Sequence, residues 1–218
     1  MSPLSFAVVD ARVEPHAAVP TIMLRLQITP ASADPVHAVA LRCQIMIQPQ
    51  QRRYEPSEGE RLVDLFGDTP RWGDTLRPFL WTNVGIVVPG FAGMELVDLP
   101  VTCTYDMEIA ATKYFDALEH GEVPIVLLFS GTVFSRGASG PNGTAALSAS
   151  PIAWHEEATF RLPVATWRAA IDAYFPNSGW LRLHNDTLDS LRRFRAERAL
   201  LTWDETIESL LKEAEGGP

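Results

Sequence analysis

The 218-residue sequence has few cysteines and no long hydrophobic segment. Its two cysteines, Cys43 and Cys103, are too few for a disulfide framework and are typical of a reducing compartment. The longest apolar stretch, Val123 to Phe129, is interrupted by Pro124 and is far too short to cross a bilayer. The N-terminal residues lack the basic start and the apolar run of a signal peptide. These absences predict a cytoplasmic protein.

Positive charge is also scarce, because 27 acidic residues outnumber 18 lysines and arginines and leave a net charge of −9. Binding to nucleic acid phosphates or to an anionic membrane needs a dense cationic face, so neither is expected as a partner. Hydrophobic residues make up 46% of the sequence, which is enough for a sizeable core. The Ser/Gly/Pro-rich stretch from Ser135 to Ser150 and the terminal Gly216, Gly217 and Pro218 are exceptions, because their composition favours disorder.

Catalytic and ligand-binding motifs are missing as well. The sequence contains no glycine-rich phosphate loop, no HExxH pair and no GxSxG frame, so it predicts no catalytic residue. No CxxC or CxxH pattern accompanies the cysteines, and we therefore expect no metal site and no cofactor. A disulfide between Cys43 and Cys103 is disfavoured, since Val101 stands where an immunoglobulin-type fold places its corner tyrosine. A role of the two cysteines in carrying a metal ion is an alternative.

Alternating hydrophobicity predicts a series of β-strands. From Ile22 to Ile28, apolar and polar residues alternate with the period of two that a half-buried strand requires. The same alternation from His37 to Ile47 places Cys43 on the apolar face, where it fits as a small buried side chain. The segment Val123–Phe134 is apolar on both faces and predicts a central strand covered on both sides. Further strands are predicted at Phe6–Val13, Leu80–Val88, Met94–Thr102, Tyr105–Ile109 and Ile152–Leu162.

Helical signals are few before Pro163 and dominate after it. Short helices are predicted at Glu58–Phe66, closed by Gly67, and at Ala110–Leu118. After Pro163 the period of the apolar residues lengthens and predicts three helices. The residues that mark them are Trp167, Ile171 and Tyr174 in the first, Asn185 or Asp186 as the cap of the second, and Thr202 with Glu205 as the capping box of the third.

Strands come first in the chain and helices last. Short strands separated by Pro and Gly turns are typical of an antiparallel sandwich. We therefore predict an α+β, mainly β fold, in which an antiparallel β-sandwich-like body over residues 1–162 is followed by about three C-terminal helices over residues 163–218 packed on it. A tail of this length buries little surface alone, so the two parts are expected to form one integrated domain.

Glu156 and His155 are the side chains that could support chemistry. If the last strand is regular, Glu156 faces inward between Trp154 and Ala158. A buried carboxylate is costly unless it is paired, so an arginine partner or a β-bulge is favoured over a catalytic role. His155 and Glu157 share the outward face, and two ligands are too few for a metal ion.

The chain has six tryptophans, and several stand beside arginine or proline in predicted turns. Trp, Tyr and Arg are the residues from which interface hot spots are built. The alternative is that these aromatic residues plug the ends of the sandwich. The predicted interaction surface consists of Arg52, Arg53, Tyr54, Trp72, Trp81 and Trp180. The arginines of the second C-terminal helix fit a solvated face or, alternatively, a docking surface for an acidic partner; they are Arg192, Arg193, Arg195 and Arg198.

Five strings spread over the chain are distinctive. They are Arg52-Arg53-Tyr54, Asp64-Leu65-Phe66-Gly67, LPVTCTYD from Leu99 to Asp106, LLFSGTVF from Leu127 to Phe134, and DAYFPNSGWLRL from Asp172 to Leu183. Together they resemble an actinobacterial family, the domain of unknown function 6084. Genes of that family tend to lie beside those of high-affinity uptake nickel–iron hydrogenases, so the resemblance implies an accessory or assembly role. It implies no active-site residues.

The missing motifs and the resemblance lead to one functional expectation. We expect a non-catalytic cytoplasmic interaction protein that assists the assembly or function of a nickel–iron hydrogenase or another metalloenzyme. Its expected partner is a protein, such as a hydrogenase subunit or maturation factor. The alternative is a small hydrolase or a small-molecule-binding β-sandwich protein that uses Glu156 and His155.

Overall fold

The computed structural model describes residues 4–103, 109–139, 145–176 and 183–216. The chain divides into two compact units, Met1–Asn177 and Ser178–Pro218. In the described residues, the first unit contains all eight strands and five α-helices, and the second contains two α-helices. The first of the three helices predicted after Pro163 thus belongs to the same unit as the strands.

Two antiparallel sheets form the strand-rich part of the first unit. The strands are β1 (Leu4–Val13), β2 (Thr21–Pro30), β3 (Val36–Ile47), β4 (Phe79–Val88), β5 (Glu95–Thr102), β6 (Glu122–Ser139), β7 (Ala145–Pro151) and β8 (Glu157–Pro163). Sheet A has the order β1-β2-β5. Sheet B has the order β4-β3-β6, and both β7 and β8 pair with the edge of β6 that β3 leaves open. The predicted mixed, strand-rich fold is confirmed.

The predicted alternation is confirmed in β2 and β3, the strands with the clearest pattern. Successive strand residues point to opposite faces of a sheet, so every second side chain meets the core. The fully buried positions follow that rule, and they are Ile22, Leu24, Leu26 and Ile28 in β2 and Val39, Leu41, Cys43, Ile45 and Ile47 in β3. Burial of these apolar faces stabilises the sheets by about 25 cal/mol per Å² of apolar area removed from water.

Strand β6 lies in the middle of sheet B, as its apolar run predicts. One edge pairs with β3, while the other edge pairs with β8 along residues 122–128 and with β7 along residues 132–139. The changeover lies at Gly131, whose φ of 138° is a conformation that L side chains rarely adopt. A Cβ atom there would stand 2.0 Å from the carbonyl oxygen of Ala40, so only glycine fits.

The predicted last strand, Ile152–Leu162, is wrong in its first half. Residues 152–156 leave the ladder and form a turn, and β8 begins only at Glu157. Trp154, expected on the inner face, is 93% exposed. Alternation shows which face a residue would take in a continuous strand but carries no signal for where the pairing is interrupted.

A second prediction that the structure corrects is disorder of the stretch Ser135–Ser150. Its described parts lie in β6 and β7, which pair with each other. Ladder hydrogen bonds satisfy backbone donors and acceptors whatever the side chains are, so small residues suffice to continue the sheet here.

Helices are not confined to the C-terminal end. The α-helices of the first unit are α1 (Pro56–Arg61), α2 (Val63–Phe66), α3 (Trp72–Thr75), α4 (Ile109–Ala117) and α5 (Val164–Asp172), and 3-10 turns lie at Pro49–Gln51 and Thr69–Arg71. The helices predicted at Glu58–Phe66 and Ala110–Leu118 correspond to α1 with α2 and to α4, whereas α3 and the two 3-10 turns are too short to show a helical period in the sequence. The C-cap at Gly67, with a φ of 70°, is confirmed. The predicted strand Tyr105–Ile109 lies outside the described residues except for Ile109, which begins α4.

Both sheets contribute to one hydrophobic core. Phe6 of β1 stacks on Phe129 of β6, with ring centroids 4.2 Å apart. Helix α5 packs against β1, β2 and β8, and its Trp167 stacks on Phe115 of α4 at 4.4 Å. Trp81 of β4 lies against both of those rings. Aromatic side chains therefore fill the part of the core beneath α4 and α5.

The second unit consists of helices α6 (Asn185–Glu197) and α7 (Trp203–Glu215). The capping box of Thr202 and Glu205 at the start of α7 is confirmed. The predicted cap of α6, Asn185 or Asp186, is wrong, because the N-cap residue is His184 and no side chain caps that end. None of the described helices is long and apolar enough to span a membrane.

Candidate interaction surfaces

The loop after β3 carries three of the predicted surface residues, Arg52, Arg53 and Tyr54. The side chain of Arg52 points inward. Arg52 Nη2 donates to Glu58 Oε1 at 2.6 Å and to the carbonyl oxygen of His120 at 2.8 Å. The side chains of Arg52 and Glu58 are only 8% and 1% exposed. A buried charge is tolerated when it is paired and hydrogen-bonded, as it is here. The pair joins this loop and α1 to the turn that precedes β6.

Glu58 is held as a carboxylate by further donors. The backbone amides of Glu119 and Glu55 donate to it at 2.9 and 3.1 Å. Burial by itself raises the pKa of Glu58, but these two hydrogen bonds and the guanidinium of Arg52 outweigh burial and lower its pKa below the ordinary value. The ionised pair is thus a structural connection.

Tyr54 is likewise engaged inside the molecule. Its hydroxyl donates to the carbonyl oxygen of Pro49 and lies 2.7 Å from the hydroxyl of Tyr114, from which it accepts. The ring of Trp72 meets that of Tyr54 edge-on at 5.1 Å, and Trp72 Nε1 donates to the carbonyl oxygen of Gly67. Burial raises the pKa of Tyr54 to about 12, so its hydroxyl stays protonated at neutral pH. This hydrogen bonding fixes the loop.

The structure brings together some of the predicted surface residues and separates others. Arg52, Tyr54 and Trp72 form one cluster, and Arg53 beside them is exposed. Trp81 is 2% exposed within the core, so the prediction that it lies on the surface is wrong. The register of β4 places it inward, although its sequence position after Pro78 suggested a turn. Trp180 lies outside the described residues.

His155 and Glu156 are neighbours in the turn between β7 and β8. His155 Nε2 lies 3.5 Å from Glu156 Oε1, and the imidazole is 58% exposed. The side chain of Glu156 is only 16% exposed, but Glu156 lies in the turn and not in a regular strand between Trp154 and Ala158, because β8 starts only at Glu157. No arginine pairs with Glu156 among the residues that the structure describes.

Cys43 and Cys103 are both buried and are not joined by a disulfide. Burial raises the pKa of the Cys43 thiol to about 12, which opposes the thiolate that a metal ion would need. In the described part of the chain, no group of three or more His, Cys, Asp or Glu residues could hold a metal ion. The role of Cys43 on the apolar face of β3 is packing.

Trp154 lies in the turn between β7 and β8. The two ends of this turn are tied to β6 by hydrogen bonds from the amide of Ile152 to the carbonyl oxygen of Gly131 and from the amide of Phe129 to that of Glu156. The indole between these anchors is 93% exposed. Both ends of the turn are thus anchored to β6, and the tryptophan between them is exposed to solvent.

The outer face of sheet B carries a shallow depression of about 540 Å³. Its floor is formed where Arg42 of β3 pairs with Gly85 on one side and Ser130 on the other, so small residues flank the arginine. Among the residues that line it are Ala40, Arg42, Gly85, Val87, Ser130 and Thr132. Val87, at its rim, is 74% exposed. These six residues are grouped below with Trp154, whose turn is hydrogen-bonded to β6 at Gly131 and Phe129, and the group is called the sheet B face.

On the outer face of sheet A, in contrast, the arginines form ion pairs. Arg25 and Arg12 both bind Asp98, at 3.0 and 2.7 Å. The hydrogen bond from Arg25 is the main cause of the lowered pKa of Asp98. Arg42 makes no ion pair with any residue of the described ranges. The guanidinium on the sheet B face is therefore available to an external group.

Sequence reasoning overlooked the sheet B face. Two glycines inside strands, Gly85 and Gly131, are the signal that could have found it, since glycine within a strand often marks a bulge or a close approach. Trp154 itself gives no such signal, because its exposure depends on the interruption of the pairing between β6 and its neighbours.

These features define a strand-rich α+β protein with two antiparallel sheets and an exposed tryptophan in the turn between β7 and β8. The model of a protein family described as a family of unknown function (DUF6084) matches residues 1–217. The chain therefore belongs to this family. No curated protein matches it in sequence.

Three solved structures, all of β-glucosidases, resemble the chain weakly. The enzyme from Kluyveromyces marxianus is 9% identical with a TM-score of 0.29, over 73% of this chain and 15% of that chain. The Paenibacillus barengoltzii enzyme is 10% identical with a TM-score of 0.26, over 91% and 22%. β-Glucosidase 3B of Thermotoga neapolitana, in complex with α-D-glucose, is 11% identical with a TM-score of 0.23, over 74% and 17%. The chain spans less than a quarter of each, and such low similarity carries no argument about function.

Proposed function

We propose that this protein is a non-catalytic accessory protein that binds a protein partner through the sheet B face. The single observation that carries the proposal is Trp154, which is 93% exposed on a turn anchored at both ends. Tryptophan buries more apolar surface in an interface than any other side chain, and it dominates interface hot spots together with tyrosine and arginine. An indole held rigidly in water loses little conformational freedom when a partner covers it.

The depression on the outer face of sheet B supports the same proposal. Val87 offers apolar surface at its rim, and Arg42 offers five hydrogen-bond donors at its centre. Gly85 has no side chain and that of Ser130 is small, so a partner can approach the strand backbone closely. The cluster of Arg52, Tyr54 and Trp72, by contrast, forms its hydrogen bonds with other groups of the same chain. The proposal therefore moves the binding surface from that loop to the sheet B face.

The class of partner in this proposal is a nickel–iron hydrogenase subunit, a maturation factor of such an enzyme, or another metalloenzyme of an actinobacterial cytoplasm. Membership of the family supports it through the gene neighbourhood that the family resemblance implies. In this proposal the two sheets, which share one core, form a β-sandwich scaffold that presents the sheet B face to the partner.

Affinity capture from native lysate tests the proposal. The baits are the full chain, the variant Trp154→Ala and the control Leu96→Ala, which removes an exposed apolar side chain from the other sheet. We expect wild type and the control to retain a metalloenzyme subunit or maturation factor, and Trp154→Ala to retain at least about tenfold less. Capture of no stable partner by wild type, or equal capture by Trp154→Ala, would contradict the proposal.

The alternative proposal is a small hydrolase that uses His155 and Glu156, and it rests on their 3.5 Å contact. A carboxylate beside an imidazole is the arrangement that supports a general base. Hydrolysis of activated esters by wild type, with loss of at least about a hundredfold in His155→Ala, would favour this alternative. Equal rates for the two proteins would reject it.

A further inference from the structure

Arg42 stands on the outer face of sheet B with no acidic residue next to it. It lies opposite Gly85 of β4 on one side and Ser130 of β6 on the other, so the register of the three strands fixes its neighbours on that face. All of these neighbours are uncharged and belong to the first unit; they are Ala40, Gln44, Asn83, Gly85, Val87, Leu128, Ser130 and Thr132. The strands therefore bring no carboxylate next to this guanidinium.

Gly85 leaves the space beside Arg42 open, although the backbone does not require glycine at this position. A Cβ atom there would lie 3.9 Å from the carbonyl oxygen of Leu41, which is ordinary van der Waals contact, and its φ is not in the positive range that favours glycine. Gly131 differs, because a Cβ atom would clash with the backbone. Glycine inside a strand weakens the strand, since it has no side chain to pack. What the missing side chain at Gly85 provides is an open depression next to the guanidinium.

Apolar and hydroxyl groups surround this opening. Val87 at the rim is 74% exposed, and Leu128, opposite Gln44, is 38% exposed. Ser130 and Thr132 line the side formed by β6, and their hydroxyl groups can donate hydrogen bonds. The planar fork of a guanidinium matches the two oxygens of a carboxylate. The group that fits the depression is thus a carboxylate carried by an otherwise apolar segment.

We infer that the sheet B face binds an aspartate or glutamate side chain of its protein partner, which enters the depression over Gly85 and pairs with Arg42. The inference rests on the proposed function and names the chemistry of the partner. Apolar residues beside that acid cover Val87 and Leu128 and exclude water, which strengthens the ion pair because the local dielectric constant falls. The net charge of −9 repels a run of acidic residues, so the partner segment carries a single acid among apolar residues.

A displayed library of random peptides of about 12 residues is the probe. Peptides are selected on full-length wild type after counter-selection on the variant Gly85→Val, in which a side chain fills the depression. We expect the enriched peptides to share one Asp or Glu flanked by apolar residues. The strongest binder is synthesised together with a version that carries the corresponding amide in place of the acid. Isothermal titration calorimetry then measures the affinity of both peptides for the full chain.

The variant Arg42→Gln tests the ion pair. It should weaken the acidic peptide at least about tenfold, because the guanidinium loses its role as an anchor. In a double-mutant cycle with the amide peptide, the two losses should not add, since either change already removes the pair. The control is Arg53→Gln, which removes an exposed guanidinium from the loop after β3 and should leave the affinity unchanged.

The variant Gly85→Val separates binding from stability. Valine suits a strand, so the urea midpoint should stay the same or rise, while the affinity for the acidic peptide falls at least about tenfold. The control is Ala7→Val at an exposed strand position of sheet A, which should leave the affinity unchanged. A lower urea midpoint in Gly85→Val would overturn the inference, because the glycine would then serve the fold.

Three further results would overturn the inference. They are a selection that enriches no acidic peptide, equal affinity for wild type and Arg42→Gln, and equal affinity for wild type and Gly85→Val. Each of them leaves the proposed function standing. That proposal fails separately, if wild type captures no partner from lysate or Trp154→Ala captures as much as wild type.

Discussion

The loop cluster around Arg52 and the sheet B face are built from the same kinds of side chain, yet they use them in opposite ways. In the loop, Arg52 and Tyr54 direct their polar atoms to Glu58 and to backbone carbonyls. On the sheet, Trp154 is exposed, and Arg42 forms no ion pair within the described residues. Residue type alone therefore does not distinguish a side chain that connects parts of the fold from one that is left exposed; the number of internal partners does.

The sharpest test of this contrast compares two tryptophans. Trp81→Ala should lower the free energy of unfolding by about 3–5 kcal/mol, because it opens a cavity among Phe115 and Trp167. Trp154→Ala should change it by less than about 0.5 kcal/mol, since its indole is already in water. Urea denaturation followed by circular dichroism measures both. Similar losses in the two variants would mean that Trp154 supports the fold and would break the contrast.

The buried ion pair gives the next largest effect. Glu58→Ala leaves the guanidinium of Arg52 buried without its anion, and we expect a loss of about 3 kcal/mol in the free energy of unfolding. The matched control is Glu119→Ala, which removes the exposed partner of Arg61 and should cost less than about 1 kcal/mol. A loss as small as that of the control would show that water reaches Arg52 in solution.

The tyrosine pair should contribute less. Tyr54→Phe removes the hydroxyl that joins Tyr114 to the carbonyl oxygen of Pro49, and should cost about 1–2 kcal/mol. In a double-mutant cycle, Tyr54→Phe combined with Tyr114→Phe should cost less than the sum of the two single variants, because each already breaks the shared hydrogen bond. Strict additivity would rule out the bond between the two hydroxyls.

The smallest effect concerns pH. The pKa of Glu58 is lowered in the folded protein, so its contribution to stability is complete above the unfolded value of about 4.3 and is lost as pH falls through the folded value. From about pH 5 to about pH 3, wild type should therefore lose more stability than Glu58→Gln. Urea midpoints measured across this range give the comparison. Parallel pH profiles would show that the carboxylate is not preferentially stabilised by folding.

The sequence predicted the fold best where one local pattern suffices. The alternation of β2 and β3, the apolar run of β6 and the capping box before α7 each depend on neighbouring residues, and each is confirmed. The sequence did not predict those features that depend on pairing with a strand distant in the chain. Residues 152–156 leave the ladder because β7 and β8 share one edge of β6, and no property of those residues reveals this.

The candidate surfaces show the same division. Arginine and tryptophan are common in interfaces, but the sequence cannot tell Trp81 from Trp154, because exposure depends on what packs around each ring. By itself the sequence determined which strands have an apolar face and where α7 begins. Only the tertiary structure decided which aromatic side chains are left in water. The reason is physical: periodicity is a property of adjacent residues, whereas burial depends on contacts between residues far apart in the chain.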